Sequence, residues 1–289
     1  MKTSIVVHPK YNFLKEYIEQ IPDGFNRLQN VLHNQRNVIK GDEVSQVKLV
    51  IKSYRRIYLP NKIRYSFFYP SKAERAYSYG LELLNKGFTT PHPIAFIECF
   101  EYGLLTQSYF ISEYSDYKPL SHIQSGDEKV LMKELAKYTF DLHHSGIYHV
   151  DYSNGNILFK KSNGHFEFAL VDNNRMKFGK FGYTNRLKNF RRLGLSNVQL
   201  TQIAEEYSRL ENSDEIETIE RLFRYVRLHR EKNSIKKWAK QRMQKVIQFW
   251  NSCKSQAVSM DKRIKTCVAI TLANGIATEE LMNFIISIS

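Results

Sequence analysis

Three residues in the stretch GIYHVDYSNGNILF, Gly146 to Phe159, have types and spacing that could do chemistry. They are His149, Asp151 and Asn156, in the order His-x-Asp-x-x-x-x-Asn. A carboxylate can take a proton from a hydroxyl, and a carboxamide oxygen can ligate a metal ion. The plain alternative is a polar loop. The residues after the motif weigh against it: Asn163-Gly164 is a tight-turn dipeptide, flanked by Ile157-Leu158-Phe159 and by Phe166, Phe168 and Leu170 on alternating positions. That pattern predicts a hairpin whose second strand ends on Asp172, folding Asp172 back toward Asn156 and Asp151. Two oxygen ligands near a third carboxylate suit a magnesium-bound phosphate beside an acceptor hydroxyl. Upstream, Lys52 ends the apolar run Leu49-Val50-Ile51, where a strand would aim an ammonium group into the same cleft. Each piece alone is weak, since a lysine at a strand end is usually surface and an aspartate after a strand is usually a turn residue. The four in order, with the right elements between them, form a joint pattern.

The elements needed to position them are legible. A short helix near Asn12–Ile21 ends at Pro22-Asp23-Gly24, and strands follow at 28–33, 36–40 and 47–54, with Gly41-Asp42 as the turn between the last two. Ser71 to Gly87 carries helix signals: Ser71 as cap, Glu74 three residues later as its capping-box partner, Gly87 as stop. Residues 93–103 and 107–115 read as a hairpin. A helix comes next, with apolar residues at Val130, Leu131, Leu135, Tyr138 and Leu142 and its end at Gly146. Beyond Asn185 the chain reads as mostly helical, including the last thirty residues. The expected fold class is α+β in two lobes: residues 1–114 with a small antiparallel sheet and one helix, residues 115–289 mainly helical.

The chain has 289 residues, enough for two cores, and its composition of 42% hydrophobic and 25% charged residues is that of a globular protein. No apolar run approaches the roughly 20 residues of a membrane span, and the apolar run after Met1 is too short for a signal peptide, so a cytoplasmic location is expected. Cys99, Cys253 and Cys267 are odd in number and far apart, as reduced thiols would be. The net charge of +14 attracts polyanions. Residues 221–245 hold ten Lys or Arg and one acid, Glu231; a solvated helix face and an anion contact, such as an anionic membrane surface, both fit that run.

With these residues placed, the chain resembles the lipopolysaccharide kinase family of the protein-kinase-like superfamily, which phosphorylates Kdo or heptose sugars of the lipopolysaccharide inner core. The resemblance rests on VIKSYRR, SKAERAYSYGLELLNKGFTTPHPIAF, HVDYSNGNILF and LVDNNRMKFG, within roughly residues 28–195. It implies an ATP- and magnesium-dependent kinase. Asp151 would orient or accept the acceptor proton, Asn156 and Asp172 would hold magnesium, and Lys52 would hold the α- and β-phosphates. Glu74 and Glu113 complete the implied nucleotide-binding set, with Glu74 orienting Lys52 or acting as a capping residue only. His149 would brace the loop.

Three departures from protein kinases stand out. No glycine-rich loop precedes Lys52, Asn173-Asn174 follow Asp172 in place of Phe-Gly, and no Ala-Pro-Glu string appears. After Asp172 comes a basic segment in which Arg175, Arg186, Arg191 and Arg192 could grip an anionic sugar or glycolipid acceptor, against the alternative of a solvated loop. Two other functions compete with the family reading: a kinase of small aminoglycoside-like alcohols, and a silent kinase-like binder of anionic glycolipid. Nucleic acid is disfavoured, because no zinc-finger spacing, RNA-recognition motif or basic helix-turn-helix is present.

Overall fold

In the computed structural model, residues 2–34, 37–55, 57–123 and 128–256 are described. The expected helical tail, Cys267, and residues 35 and 36 at the start of the second expected strand lie outside them. The chain divides into two compact units, residues 1–229 and 230–289; everything that positions the candidate site belongs to the first.

The first unit begins with β1 (Lys2–Val7), then a 3-10 turn over Pro9–Leu14 that leads into α1 (Lys15–Gly24). Next come β2 (Val31–Asn34), β3 (Val38–Val44) and β4 (Val47–Ser53), α2 (Leu59–Phe67) and α3 (Lys72–Asn85), and the hairpin β5 (Pro93–Glu101) and β6 (Leu104–Glu113). The six strands form one antiparallel sheet in the order β1-β5-β6-β4-β3-β2. Strand alternation gives its two faces different tasks. Leu49 and Ile51 of β4 pack with Ile18, Ile21 and Phe25 in one core, while the next residues of opposite parity, Lys52 and Tyr54, point to the α3 side. There Tyr54 packs with Ala73, Tyr77 and Phe96.

Before residue 115 the described residues form three α-helices where the sequence expectation gave that lobe one, α2 being unforeseen, and the sheet differs in two details. Gly41-Asp42 is not a turn: β3 runs through both, with Gly41 opposite Val50, and the chain reverses at Ser45-Gln46, both at positive φ (50° and 65°). Gly41 lies close to the end of the Asn30 side chain, which a Cβ there would meet at 2.7 Å and push aside. The strand β1, which the mixed composition of the first forty residues concealed, pairs with β5 from Lys2↔Phe100 to Val7↔Ala95.

After β7 (Lys118–Pro119) come α4 (Glu128–His144), β8 (Ile147–His149), β9 (Ile157–Ser162), β10 (His165–Leu170) and β11 (Met176–Phe178). Then follow α5 (Tyr183–Asn189), α6 (Asn197–Glu211) and α7 (Glu215–Gln256). The hairpin β9–β10 turns at Asn163-Gly164, with φ of 50° and 84°, as its dipeptide requires. Leu131, Leu135, Leu142, Ile157, Leu170, Phe190, Ile203 and Tyr207 share the second large core. Among the described residues no helix is long and apolar enough to cross a membrane. Cys99 is a free, buried thiol in β5, and burial pushes its pKa up to about 11.

Candidate active site

The site assembles where β4, the Asp151 loop and the end of β10 meet. Lys52, near the end of β4, forms an ion pair with Asp172. Burial disfavours both charges, but each stabilises the other: the Asp172 carboxyl stays below its ordinary pKa and the Lys52 ammonium above its own. Asp172 adopts the left-handed backbone conformation (φ 62°, ψ 42°), which aspartate tolerates better than most residues and which turns the chain sharply out of the hairpin. The next two residues lock that turn. Asn173 donates to Thr90 Oγ1 (2.8 Å), and Asn174 donates to Asp172 Oδ1 (3.0 Å) and to the Tyr54 hydroxyl (3.2 Å).

Tyr54 fills the place where a helix carboxylate was expected. Glu74 lies in the first turn of α3, where its backbone N–H donates to Ser71 Oγ (3.1 Å), and among the described residues the acid paired with Lys52 is Asp172. The α3 positions facing the sheet are Ala73, Ala76, Tyr77 and Gly80, with no acid among them. Gly80 lets the helix approach closely, since a Cβ there would meet Pro93 Cγ at 2.6 Å. The Tyr54 ring fills the interval instead, with the Lys52 ammonium 5.5 Å from its centroid. Burial raises the Tyr54 pKa, so the phenol is neutral and can share its hydroxyl with Lys52 and Asn174.

Asp151 stands on the other side of the cleft. The strand β8 pairs with β11 in the register His149↔Met176, which brings Asp151, two residues past His149, beside Arg175, one residue before Met176. Arg192 reaches the same carboxylate from the 3-10 turn Phe190–Arg192: its Nη2 lies 2.8 Å from Asp151 Oδ1, and Arg175 Nη1 lies 3.7 Å from Oδ2. The loop itself is braced from below. His149 is buried, and burial lowers its pKa. A neutral ring suits its two contacts, Nε2 donating to the Val171 carbonyl (3.0 Å) and Nδ1 accepting from the Asp151 N–H (3.1 Å). Asn156 donates its amide N–H to the Asp151 carbonyl (2.9 Å), so its side-chain oxygen is the atom left for a ligand.

A further buried chain supports the loop. Asn189 donates to the His149 carbonyl (2.8 Å) and accepts from His143 Nε2 (3.0 Å), and His143 Nδ1 lies 2.9 Å from the Tyr207 hydroxyl. Burial lowers the His143 pKa to about 4. Tyr54, Asn174, His143, Asn189 and Tyr207 were not among the sequence candidates. Tyr54 alone had a signal, its same-face spacing from Lys52.

The remaining candidates are engaged elsewhere. Glu113 accepts from the Tyr11 hydroxyl and lies 3.6 Å from Lys10, on the N-terminal segment. Arg186 ion-pairs with the buried Glu211 at 2.6 Å, and Arg191 donates to the Lys188 carbonyl (2.8 Å). The structure thus brings Lys52, Asp172, Asp151, Asn156, Arg175 and Arg192 together, leaves Glu113, Arg186 and Arg191 with other partners, and places Glu74 in the first turn of α3. For a divalent metal, Asp172 and Asn156 offer hard oxygen donors. Among the described residues no cluster of three His, Cys, Asp or Glu could hold one. That donor set fits magnesium that arrives with a nucleotide and keeps most of its ligands from phosphate and water.

A strand lysine paired with the aspartate after a hairpin thus stands with an Asp-x-x-x-x-Asn loop whose Asn is hydrogen-bonded to its Asp. Residues 34–212 match the model of the lipopolysaccharide kinase (Kdo/WaaP) family, and the chain belongs to that family of kinases. A solved structure described as WaaP in complex with acyl carrier protein shares the fold, with a TM-score of 0.54 and 16% sequence identity. The match covers 79% of this chain and 98% of that one. The Rio2 kinase from Chaetomium thermophilum, solved as an ADP/Mg2+-phosphoaspartate complex, gives a TM-score of 0.43 at 17% identity, over 75% of this chain and 71% of that one. Among curated proteins none matches.

Proposed function

We propose that this kinase transfers the γ-phosphate of magnesium-ATP to a hydroxyl of Kdo or heptose in the lipopolysaccharide inner core. The observation that carries the reading is Asp151 held between Arg192 and Arg175 across the cleft from the Lys52–Asp172 pair. Residues 1–114 would supply the nucleotide-phosphate side, and the chain from residue 115 the catalytic loop, the metal ligands and the acceptor side. Asp151 takes the proton of the acceptor hydroxyl; its oxygen forms a bond to the γ-phosphorus as the bond to the bridging oxygen of ADP breaks. Lys52 compensates charge on the α- and β-phosphates. Magnesium, held by Asp172 and Asn156, would neutralise the charge that develops on the phosphoryl oxygens.

Arg192 and Arg175 already grip one carboxylate, so the same forks suit an acceptor carrying a carboxylate or phosphate. Arg186 and Arg191 then act one step removed, by fixing the segment that presents Arg192. Glu74 shapes the start of α3, and Glu113 fixes the end of β6, next to the nucleotide. The acceptor being lipid-borne, the protein works in the cytoplasm at the inner membrane face.

The test is transfer of labelled phosphate from magnesium-ATP to Kdo-lipid A. Label should enter the glycolipid with wild type and not with Asp151→Asn. Labelling of a soluble aminoglycoside but not of the lipid would favour a small-molecule kinase. Nucleotide binding without transfer to either would favour the glycolipid binder.

A further inference from the structure

The helix α2 is built the wrong way round for a helix that only packs. Leu59, Ile63 and Phe67 follow the i, i+4, i+8 spacing of one face, and that face is in solvent: they are 63%, 44% and 64% exposed. Tyr58 and Phe68 at the two ends are 70% and 80% exposed. No residue of α2 is buried. The helix is held by its polar side, where Ser66 Oγ accepts from the Leu105 N–H of β6 (2.8 Å) and donates to the Lys62 carbonyl (2.6 Å). An apolar stripe of this kind on a soluble surface marks a contact yet to be made.

Charge identifies the contact. From Val44 to Ala73 the chain has no Asp or Glu, while Lys62 and Arg64 lie on α2 itself. Arg64 and Arg75 stack on Tyr69, at 4.5 and 4.9 Å from the ring centroid, so aromatic rings and guanidinium groups sit together beside the stripe. Aliphatic and aromatic side chains in solvent, on a stretch of chain that carries cations and no acid, match the boundary between anionic headgroups and acyl chains.

We propose that α2 is an interfacial docking helix, which seats Leu59, Ile63, Phe67 and Phe68 in the outer few ångströms of an anionic bilayer. It begins six residues after the end of β4, so docking there would bring the Lys52 side of the cleft to the surface that carries a lipid-borne acceptor. The inference deepens the proposed function and rests on it for its purpose, but not for its test.

The experiment is co-sedimentation of the full chain with vesicles of phosphatidylcholine alone and with roughly one third phosphatidylglycerol, neither containing lipopolysaccharide. Wild type should bind the anionic vesicles and not the neutral ones. The triple variant Leu59→Ser, Ile63→Ser, Phe67→Ser should lose about tenfold or more in binding at unchanged thermal stability, because none of these side chains is buried. Asp151→Asn should bind like wild type, so a failed kinase reading would leave this one standing. Wild-type binding retained by the triple variant, or lost only when Lys236 and Lys237 of α7 become Ser, would overturn the proposal. So would absence of vesicle binding by wild type together with a change of oligomeric state in the triple variant, which would make a second copy the occupant.

Discussion

The two sides of the cleft are built by opposite means. On the proposed phosphate side, Lys52, Asp172, Tyr54 and Asn174 are linked in one network through Asp172 Oδ1 and the Asn174 amide, and the phenol is buried. On the proposed acceptor side, Asp151 is gripped by Arg192 and Arg175, whose side chains are 31% and 52% exposed. A buried network is costly to disturb and therefore holds one geometry, whereas exposed ion pairs are worth little and exchange readily. The difference assigns invariance to the phosphate side and adaptability to the acceptor side.

Asp151→Asn should separate the two sides most clearly. It keeps the shape of the acceptor side but removes the base, and should lower kcat by about 10³-fold while nucleotide affinity, measured by calorimetry, stays within about twofold of wild type. A loss of nucleotide affinity instead would mean that the two sides are not separable.

Next in size is the pH dependence of the support beneath the Asp151 loop. The His143 pKa is about 4 in the folded chain and about 6.5 when unfolded. Between these values the unfolded chain binds more protons, so stability is fully present above about pH 6.5 and is lost as pH falls toward 4, by up to roughly 3 kcal/mol. Burial shifts His149 in the same direction. Urea unfolding midpoints followed from neutral pH downward should show the fall, and His143→Gln should flatten it.

Arg192→Ala should raise the KM for an anionic acceptor by about tenfold with little change in KM for ATP, as expected for loss of one charge-assisted contact. If the KM for ATP rises instead, Arg192 belongs to the phosphate side. The smallest expected effect comes from across the cleft. Tyr54→Phe keeps the ring but removes the hydroxyl shared by Lys52 and Asn174, and should cost about 1 kcal/mol, read as a several-fold weaker binding of magnesium-nucleotide. Unchanged binding would reduce Tyr54 to a packing residue.

Local features of the chain were readable where a residue's own geometry dictates structure. Ser71 caps α3 through a hydroxyl that any N-cap serine can offer, and Asn163-Gly164 reverses the chain because both residues accept positive φ. Ser45-Gln46 lacks that signature. It turns because β3 and β4 pair in full on either side of it, and Gly41, which looked like the turn, lies within β3 opposite Val50. Likewise Glu74 was legible as a helix-start acid, while its distance from Lys52 depended on how α3 lies over the sheet.

The linear chain by itself determined which groups could do chemistry: Lys52 before a turn out of the sheet, His-x-Asp-x-x-x-x-Asn before a hairpin, Asp172 after it. Short-range spacing and strand alternation suffice for that, because both are set by backbone geometry. Only the tertiary structure decided who pairs with whom. Arg192 and not Arg191 reaches Asp151, Tyr54 and not Glu74 stands beside Lys52, and α2 turns its apolar stripe outward. Each outcome depends on contacts between residues distant in the sequence, whose meeting is settled by packing and not by periodicity.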